Sequence, residues 1–459
     1  MSNYFFIGIG GIGMSALAQF LVWQGHRVSG SDRGLDEPAR ARLYGQLRSQ
    51  GIALYPQDGS GVRAEHPDAL VVSTAIEEGN PDLLAAPECP VIHRAKALAD
   101  AVAATGLPLV GIAGSCGKTS VTGWTASALR AAGHGVIMID GGYVLDFEDD
   151  THPGNFHADE KADFVVAEID ESDHSIREFS PDFSAVLNIG DDHYGQEELR
   201  NVFTAFLSRT RSAAVLPEAL ASMGASLPAS LALRSFPDQV PGYSASAAGI
   251  SFTAPDGHTV HTTQSGRHSA WNGSAVLELL RAALPSAAPE ALCSALGAFR
   301  GVRQRFEVIA GASAGHPAIV NDYAHNPEKI AAAVATARER FGGGALGIVF
   351  QPHGFGPLGF IRQALEEQLR KVLVPGDLFL MLPVFYAGGT SSFKPTSQEV
   401  AAQYAAAGLP VRFTGTRDEA AALLASRNGL AAWLVLGGRD ASLRTWSIEL
   451  ASGKTATMK

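Results

Sequence analysis

The segment that decides the fold reads Leu109-Val110-Gly111-Ile112-Ala113-Gly114-Ser115-Cys116-Gly117-Lys118-Thr119. Its first half is an apolar strand, and its second half is a glycine-rich turn that opens a predicted helix over residues 119–130, which Gly133 ends. Backbone N–H groups of such a turn bind phosphates, the lysine reaches the outer phosphates, and the threonine hydroxyl can bind Mg²⁺. The segment therefore predicts a triphosphate site.

This loop is a variant of the usual phosphate-binding pattern. The strict pattern places a glycine five residues before Gly117, where this chain has Ile112. The alternative interpretation is a glycine-rich strand-to-helix turn that carries an incidental lysine. We favour the phosphate loop, because glycine, lysine and hydroxyl occur together directly after an apolar strand.

Composition narrows the class of protein. A chain of 459 residues is long enough for two to four domains. It carries 46 acidic and 35 basic side chains, a formal net charge of -11, and the basic residues form no stripe, so nucleic acid is not an expected partner. The three cysteines, the lack of a leader and the lack of a long apolar run predict a cytoplasmic protein without disulfides or membrane contact.

A second glycine motif stands at the start of the chain. Gly8-Ile9-Gly10-Gly11-Ile12-Gly13 lies between a predicted strand at residues 4–9 and a predicted helix at 14–23, and a second strand at 27–31 ends at Asp32. This spacing is typical of dinucleotide sites, where a helix start binds a diphosphate and an acidic residue binds a ribose. The motif does not distinguish a nicotinamide, a flavin and a nucleotide sugar.

Two acidic clusters follow predicted strands in the middle of the chain. The first follows the strand at 164–169, the second follows the strand at 185–189, and hard oxygen ligands of this kind suit Mg²⁺, with a histidine completing or orienting the site. The alternative is that they are solvated loop residues, and a phosphate loop in the same segment favours the metal. The clusters consist of Glu168, Asp170, Glu171 and Asp173, and of Asp191, Asp192 and His193.

Strands and helices alternate along the whole chain, which predicts an α/β fold of three domains. We expect a Rossmann-like domain over residues 1–106, a central P-loop ATPase domain with a mostly parallel sheet over 107–312, and a C-terminal Rossmann-like domain over 313–459. The polar, turn-rich segment 246–265 predicts a small β excursion.

The order of these motifs resembles the Mur ligases of peptidoglycan synthesis, and most of all the members that add L-alanine to UDP-N-acetylmuramate. The resemblance extends over nearly the whole chain, and the order of the motifs carries it more than any one of them. Further matching segments are Ser73-Thr74-Ala75-Ile76, Asn80-Pro81, His93-Arg94-Ala95, Gly266-Arg267-His268 with Asn272, Arg305-Phe306-Glu307 and Asp322-Tyr323-Ala324-His325.

The resemblance implies an ATP-dependent ligase. ATP phosphorylates a carboxylate such as that of UDP-N-acetylmuramate, an amine such as L-alanine attacks the acyl phosphate, and phosphate leaves to give an amide. The implied ligands and partners are ATP, Mg²⁺ and these small-molecule substrates, and the protein is expected to be a monomer or a homodimer.

The resemblance also implies roles for particular residues. Lys118 and Arg305 would neutralise phosphate charge, and His193 or His325 would serve as the base that takes a proton from the amine. The metal would be held by Thr119, Glu168 and His193, with Asp192 a weaker candidate. ATP would contact Gly114, Ser115, Cys116, Gly117, Lys118, Thr119, Ser120, His268, Asn272, Arg305 and Asp322. The UDP-sugar would contact Gly10, Gly11, Ile12, Gly13, Met14, Ser15, Asp32, Ser73, Thr74, Ala75, Asn80 and Arg94.

The chain departs from the alanine-adding pattern after His353. Gly354 and Pro357 stand where that pattern has two arginines, and an arginine pair suits bidentate recognition of a carboxylate. We expect their loss to change the acceptor site, near which Arg439 could restore a cation. Amide ligation is therefore better supported than alanine as the amine. Other departures are Cys116, Ser269, Gln304 and Asn321.

The sequence leaves four alternatives open. A murein peptide ligase, or a related ligase with another donor or amine, would keep the same chemistry. A degenerate nucleotide-binding regulator would bind ATP without turning it over. A nicotinamide-dependent oxidoreductase would use the first glycine motif and leave residues 114–119 unexplained.

Overall fold

The computed structural model describes residues 1–171, 175–190, 195–313, 316–386 and 393–453. These residues form two compact units. The first comprises residues 1–243, 251–264 and 268–302, and the second comprises 244–250, 265–267 and the described part of 303–459. The domain boundaries expected at residues 106 and 312 stay predictions.

The chain begins with a five-stranded parallel sheet. Its strands are β1 (Asn3–Ile7), β2 (Arg27–Ser31), β3 (Ala53–Tyr55), β4 (Ala69–Val72) and β5 (Val91–His93). They lie in the order β3-β2-β1-β4-β5, which is the doubly wound arrangement typical of a Rossmann-like sheet. The connecting helices are α1 (Ile12–Trp23), α2 (Ala41–Ser49), α3 (Ser60–Glu65), α4 (Pro81–Ala85) and α5 (Arg94–Thr105), with a 3-10 turn at Pro38–Arg40.

Seven strands of the described chain form the next sheet. They are β6 (Leu109–Ala113), β7 (Val136–Ile139), β8 (Phe156–Ala158), β9 (Phe164–Glu168), β10 (Phe183–Val186), β11 (Ala213–Pro217) and β12 (Ala232–Phe236). Their order is β12-β11-β10-β6-β9-β7-β8, and the edge strand β8 runs antiparallel to β7. The helices are α6 (Lys118–Ala131) and α7 (Gln196–Leu207), with 3-10 segments at Ser175–Glu178 and Glu218–Ser226. The central strand β6 is buried throughout, as its apolar sequence predicts.

A small sheet follows where the sequence predicts a β excursion. It consists of β13 (Ser244–Ser246), β14 (Gly249–Thr253) and β15 (Thr259–Thr262). Two helices come next, α8 (Arg267–Ala283) and α9 (Pro289–Leu296).

The second unit is built on a six-stranded sheet. Its strands are β16 (Glu307–Ala310), β17 (Ala318–Asp322), β18 (Ala345–Phe350), β19 (Leu378–Met381), β20 (Val411–Phe413) and β21 (Leu430–Leu436), in the order β16-β17-β21-β18-β19-β20. The edge strand β16 is antiparallel to β17, and the other pairs are parallel. The helices are α10 (Pro327–Arg340), α11 (Phe355–Val372), α12 (Ser397–Ala406), α13 (Arg417–Ala425) and α14 (Ser442–Ala451).

This last sheet is covered on both faces. In β18, Ile348 and Phe350 belong to a core with helices α10, α11 and α12, whereas Val349 belongs to a second core with α13 and α14. Successive strand residues point to opposite faces, so a sheet covered on both sides needs an unbroken apolar run. The predicted α/β fold class is confirmed. Among the described residues, the helices include none with the length and apolar character needed to cross a bilayer.

Candidate active site

The phosphate loop lies between β6 and α6, as the sequence predicts. Gly117 directly precedes α6 and has a left-handed φ of 89°, which a residue with a side chain adopts only with strain. A Cβ added there would lie 3.0 Å from the Asn272 Oδ1 atom. The glycine therefore makes room for Asn272, and two of the predicted ATP contacts are neighbours in the fold.

The segment that follows β10 holds the phosphate loop in place. The Cys116 N–H donates to the Asn188 Oδ1 atom at 2.8 Å, and the Asn188 Nδ2 atom donates back to the Cys116 carbonyl at 2.9 Å. The Gly190 N–H donates to the Ser115 hydroxyl at 2.8 Å. A Cβ at Gly114 would lie 3.0 Å from the Leu187 nitrogen. The loop is thus fixed by contacts on β10's exit segment as well as by its own turn.

Lys118 forms an ion pair with a carboxylate 53 positions away, which no local sequence pattern predicts. Its Nζ atom lies 2.8 Å from the Glu171 Oε2 atom, and the exposed fractions of the two side chains are only 14% and 4%. Burial raises the pKa of Glu171, and the Lys118 ammonium acts in the opposite direction. The pair joins the start of α6 to the segment after β9.

Two of the three predicted metal ligands lie against the same pair of glycines. The Gly141 N–H donates to the Glu168 Oε2 atom at 3.0 Å, and a Cβ at Gly142 would lie 2.5 Å from the Thr119 Cγ2 atom. Within the described residues, no group of three or more histidine, cysteine or acidic side chains could hold a metal by itself. The third predicted ligand, His193, lies outside those residues, as do Asp173, Asp191 and Asp192.

A carboxylate and a hydroxyl fit Mg²⁺ in a nucleotide site. Mg²⁺ prefers oxygen ligands and is usually bound by one or two protein oxygens together with substrate phosphates and water. The glycines at 141 and 142 leave room beside Glu168 and Thr119 that any Cβ would fill. The donor set therefore suits a magnesium ion that arrives with ATP.

The first glycine motif is fastened by Asp32. The Gly10 N–H donates to Asp32 Oδ2 at 2.8 Å, and the Gly34 N–H donates to Asp32 Oδ1 at 2.8 Å. A Cβ at Gly10 would lie 2.7 Å from Asp32 Oδ2. In this structure the buried carboxylate therefore holds the turn together, and its contact with a ribose stays a prediction.

Other residues predicted for the UDP-sugar surround the same turn. A Cβ at Gly13 would lie 2.9 Å from the Arg94 Nη1 atom, and a Cβ at Gly8 would lie 3.3 Å from Ile76, in the turn that follows β4. Because β1 and β4 are parallel neighbours, their carboxyl ends present the glycine turn and residues 73–76 side by side. Gly11, Ile12, Thr74 and Ala75 are exposed there, and Ser73 is half-buried.

Three of the residues predicted to contact the UDP-sugar are buried and contribute to the fold itself. Ser15 is buried and its hydroxyl accepts a hydrogen bond from Asn155 at 2.9 Å, and Met14 is buried beside it. The Asn80 side chain accepts the Asp82 N–H at 3.0 Å and caps α4.

Among the residues predicted to contact ATP, Ser120 is half-buried in the first turn of α6, and His268 is exposed in the first turn of α8.

In the second unit, Asp322 stands at the end of β17. Its carboxylate accepts the N–H groups of Phe306 at 2.6 Å and Ala324 at 2.7 Å. Burial raises its pKa, and these two donors act in the opposite direction. Arg305 is exposed, and its guanidinium lies 5.9 Å from the centre of the Tyr323 ring. Two predicted ATP contacts, Arg305 and Asp322, thus share one corner of this unit.

A histidine pair lies at the same edge of the sheet. The rings of His325 and His353 meet edge to face with centroids 5.0 Å apart, and the His325 Nδ1 atom lies 2.9 Å from the Tyr323 carbonyl. Burial lowers the pKa of both histidines, and the positive charge of Arg439 lowers both further. The Nδ1 atom of His353 is buried and has no hydrogen-bond partner within the described residues.

Strand order explains why these residues meet. They follow β17, β18 and β21, which are adjacent and parallel, so their carboxyl ends form one edge. In open α/β sheets, ligands bind outside the carboxyl ends of the strands. The sequence departs from the family pattern directly after His353 and again at Arg439, and the strand-end positions of both residues were the signal that could have marked them as site residues.

Comparison with known proteins identifies the family. The family model described as "Mur ligase family, catalytic domain" matches residues 3–105, and the model described as "Mur ligase, glutamate ligase domain" matches residues 304–438. The UDP-N-acetylmuramate–L-alanine ligase of Neisseria gonorrhoeae is 33% identical over 422 residues, with 84% of each chain covered. The enzyme of that name from Kineococcus radiotolerans is 33% identical over 453 residues, covering 92% of this chain and 89% of its own.

Solved structures share the fold. The UDP-N-acetylmuramate–alanine ligase of Thermotoga maritima aligns with a TM-score of 0.80 at 23% identity, covering 99% of this chain and all of its own. A murein peptide ligase from Psychrobacter arcticus aligns with a TM-score of 0.63 at 19% identity over the full length of both chains. The predicted family and ligase class are confirmed: the chain belongs to the Mur ligase family, whose members are ATP-dependent ligases that form amide bonds in peptidoglycan precursor synthesis.

Proposed function

We propose that this chain uses ATP to join an amino acid or another amine to the carboxylate of UDP-N-acetylmuramate or a close analogue. The observation that carries the proposal is the phosphate loop, in which a Cβ at Gly114 or Gly117 would lie only 3.0 Å from a neighbouring atom and Lys118 begins the following helix. UDP-N-acetylmuramate as the donor is supported by the names of the relatives, which are UDP-N-acetylmuramate–L-alanine ligases. The glycine turn after β1 supports it too, because a helix start of this kind suits a diphosphate.

The residues proposed to contact ATP would have separate tasks. Backbone N–H groups of residues 114–117 would hold the phosphates, and Lys118 would balance the negative charge that develops as the terminal phosphoryl group moves to the carboxylate. Arg305 would add a second positive charge, and Asp322 would hold the ribose. Thr119 and Glu168, completed by His193, would hold Mg²⁺, which lowers the repulsion between the phosphates and the incoming carboxylate when it is bound.

The attacking amine must lose a proton, and His325 suits this step. A lowered pKa keeps its ring neutral near pH 7, where it can accept the proton from the amine. Its Nδ1 atom faces the Tyr323 carbonyl, which leaves the Nε2 atom as the acceptor. His193 remains the other candidate base.

The second unit favours an acceptor other than alanine. Phe355, Tyr386 and Phe393 form an aromatic cluster with ring centroids 5.4 to 6.1 Å apart, and Tyr386 and Phe393 are exposed. This cluster begins two residues after His353, at the edge where the amine is expected. An exposed aromatic surface suits an apolar group much larger than a methyl. Arg439 would then bind the acceptor's carboxylate in place of the arginine pair.

A phosphate-release assay tests both the proposed ligase activity and the proposed acceptor. UDP-N-acetylmuramate and ATP-Mg²⁺ are incubated with each amino acid in turn, and released phosphate and the amide product are measured. Turnover with any amine, lost in Lys118→Ala, supports the ligase. Turnover with alanine alone would contradict the altered acceptor, whereas a preference for a larger apolar amino acid, reduced in Arg439→Ala, would support it. Phosphate release that is unchanged in Lys118→Ala would overturn the proposal.

A further inference from the structure

Glu171 is a buried carboxylate beside Lys118, the side chain proposed to bind the outer phosphates. Its residue is 3% exposed, and it lies three positions after Glu168 on the segment that leaves β9. The Lys118 ammonium lies 2.8 Å from it, with both side chains largely shielded from water. A charge in this setting needs its partner, because breaking a buried pair leaves the remaining charge without compensation.

The position of the pair creates a conflict with the nucleotide. Lys118 begins α6, and its ammonium is the group that would meet the outer phosphates of ATP. A phosphate oxygen and the Glu171 carboxylate therefore compete for one ammonium group. Glu171 also adds a negative charge where a triphosphate must be accommodated, and like charges repel strongly when water is scarce.

We propose, building on the proposed function, that Glu171 is a positioning residue which holds Lys118 in place before ATP arrives and keeps one of its three N–H donors while the others turn to the outer phosphates. Holding the ammonium in one place spares the flexible lysine side chain an ordering step during the reaction. Repulsion between Glu171 and the phosphates weakens nucleotide binding at the same time. The carboxylate therefore lowers affinity and raises turnover.

This arrangement predicts a divergence between binding and catalysis. In Glu171→Gln the repulsion is removed, so ATP in excess EDTA should bind about 5-fold more tightly by calorimetry, a change of about 1 kcal/mol. Turnover should fall by about 10-fold, because Lys118 is no longer held by a charge. A residue with a purely structural role would lower both affinity and turnover.

Two further variants isolate the ion pair. Glu178→Gln removes an exposed carboxylate seven positions further along the chain and should leave affinity and turnover as in the unmodified protein. Glu171→Asp keeps the charge on a shorter side chain, so turnover should fall without a gain in affinity. In the double variant Glu171→Gln/Lys118→Ala, the Gln substitution should still tighten ATP binding, because the repulsion is direct, but it should lower the residual phosphate release no further, since its effect on turnover acts through Lys118.

The outcomes separate this inference from the proposed function. If Glu171→Gln binds Mg²⁺-free ATP no more tightly, or if it lowers phosphate release further in the Lys118→Ala background, the positioning role is wrong. If affinity falls only when Mg²⁺ is present, Glu171 acts on the metal and the inference is also wrong. Loss of phosphate release in Lys118→Ala would still support the ligase in each of these cases.

Discussion

Asn188 pairs with Cys116 through two hydrogen bonds that use both polar groups of its side-chain amide and both polar groups of one backbone residue. The contact ties the phosphate loop to the exit of β10, which lies beside β6 in the sheet. The Cys116 side chain takes no part in it, so the departure from the family pattern at this position leaves the support of the loop intact.

Replacing Asn188 with alanine should weaken ATP binding by up to about 30-fold, because two hydrogen bonds worth about 1 kcal/mol each are lost and the loop becomes less ordered. Calorimetric titration with ATP-Mg²⁺ measures the effect. Asn188→Asp keeps the hydrogen-bond acceptor and loses the donor. Its affinity for ATP should therefore lie between that of the unmodified protein and that of the alanine variant. An unchanged affinity in the alanine variant would show that the loop holds its shape without this contact.

Gly142→Ala should raise the Mg²⁺ concentration needed for phosphate release, by about 10-fold, since its methyl would meet the Thr119 side chain at 2.5 Å and displace the hydroxyl. Gly45→Ala is the matched control: a Cβ there meets nothing within 4 Å, and alanine favours the helix by about 0.5–1 kcal/mol. An equal magnesium requirement in the two variants would show that the Thr119 hydroxyl does not bind the metal.

Stability should fall as the pH drops below about 6.5, the ordinary pKa of histidine. Burial lowers the pKa of His325 and His353 in the folded protein, so the unfolded chain binds their protons first as the solution becomes more acidic. Urea unfolding at pH 7.5 and pH 5.5 measures the loss. In His353→Gln the loss should be smaller, and an identical loss would show that this ring is not responsible.

The ion pair between Glu307 and Arg444 should be a main support of the second unit. Arg444 donates to both carboxylate oxygens, at 2.6 to 3.1 Å, and the Glu307 side chain is 5% exposed. Glu307→Ala should lower the free energy of unfolding by about 3 kcal/mol, as expected when a buried pair loses one partner. Asp100→Ala breaks the exposed pair with Lys96 and should change stability little. Similar urea midpoints for the two variants would contradict this view.

Much of the candidate site was predictable because it consists of short segments. A strand, a glycine turn and a helix start are local features, and the structure has them at β1 and β6 where the sequence predicts them. The strand predicted at 27–31 has these ends in the structure, whereas the strand predicted at 185–189 lies at Phe183–Val186. Helix α1 begins two residues earlier than expected, since the glycines at its start do not stop it.

The sequence by itself determined the α/β class, the two nucleotide-type loops and the family, because each depends on residue types at fixed spacing along the chain. Only the tertiary structure decided which distant residues meet. The partners of Lys118 and Cys116 lie 53 and 72 positions away. The order of the parallel strands, rather than any local pattern, brought His325, His353 and Arg439 to one edge. Strand order is set by how helices cover both faces of each sheet, which is a property of packing over the whole unit.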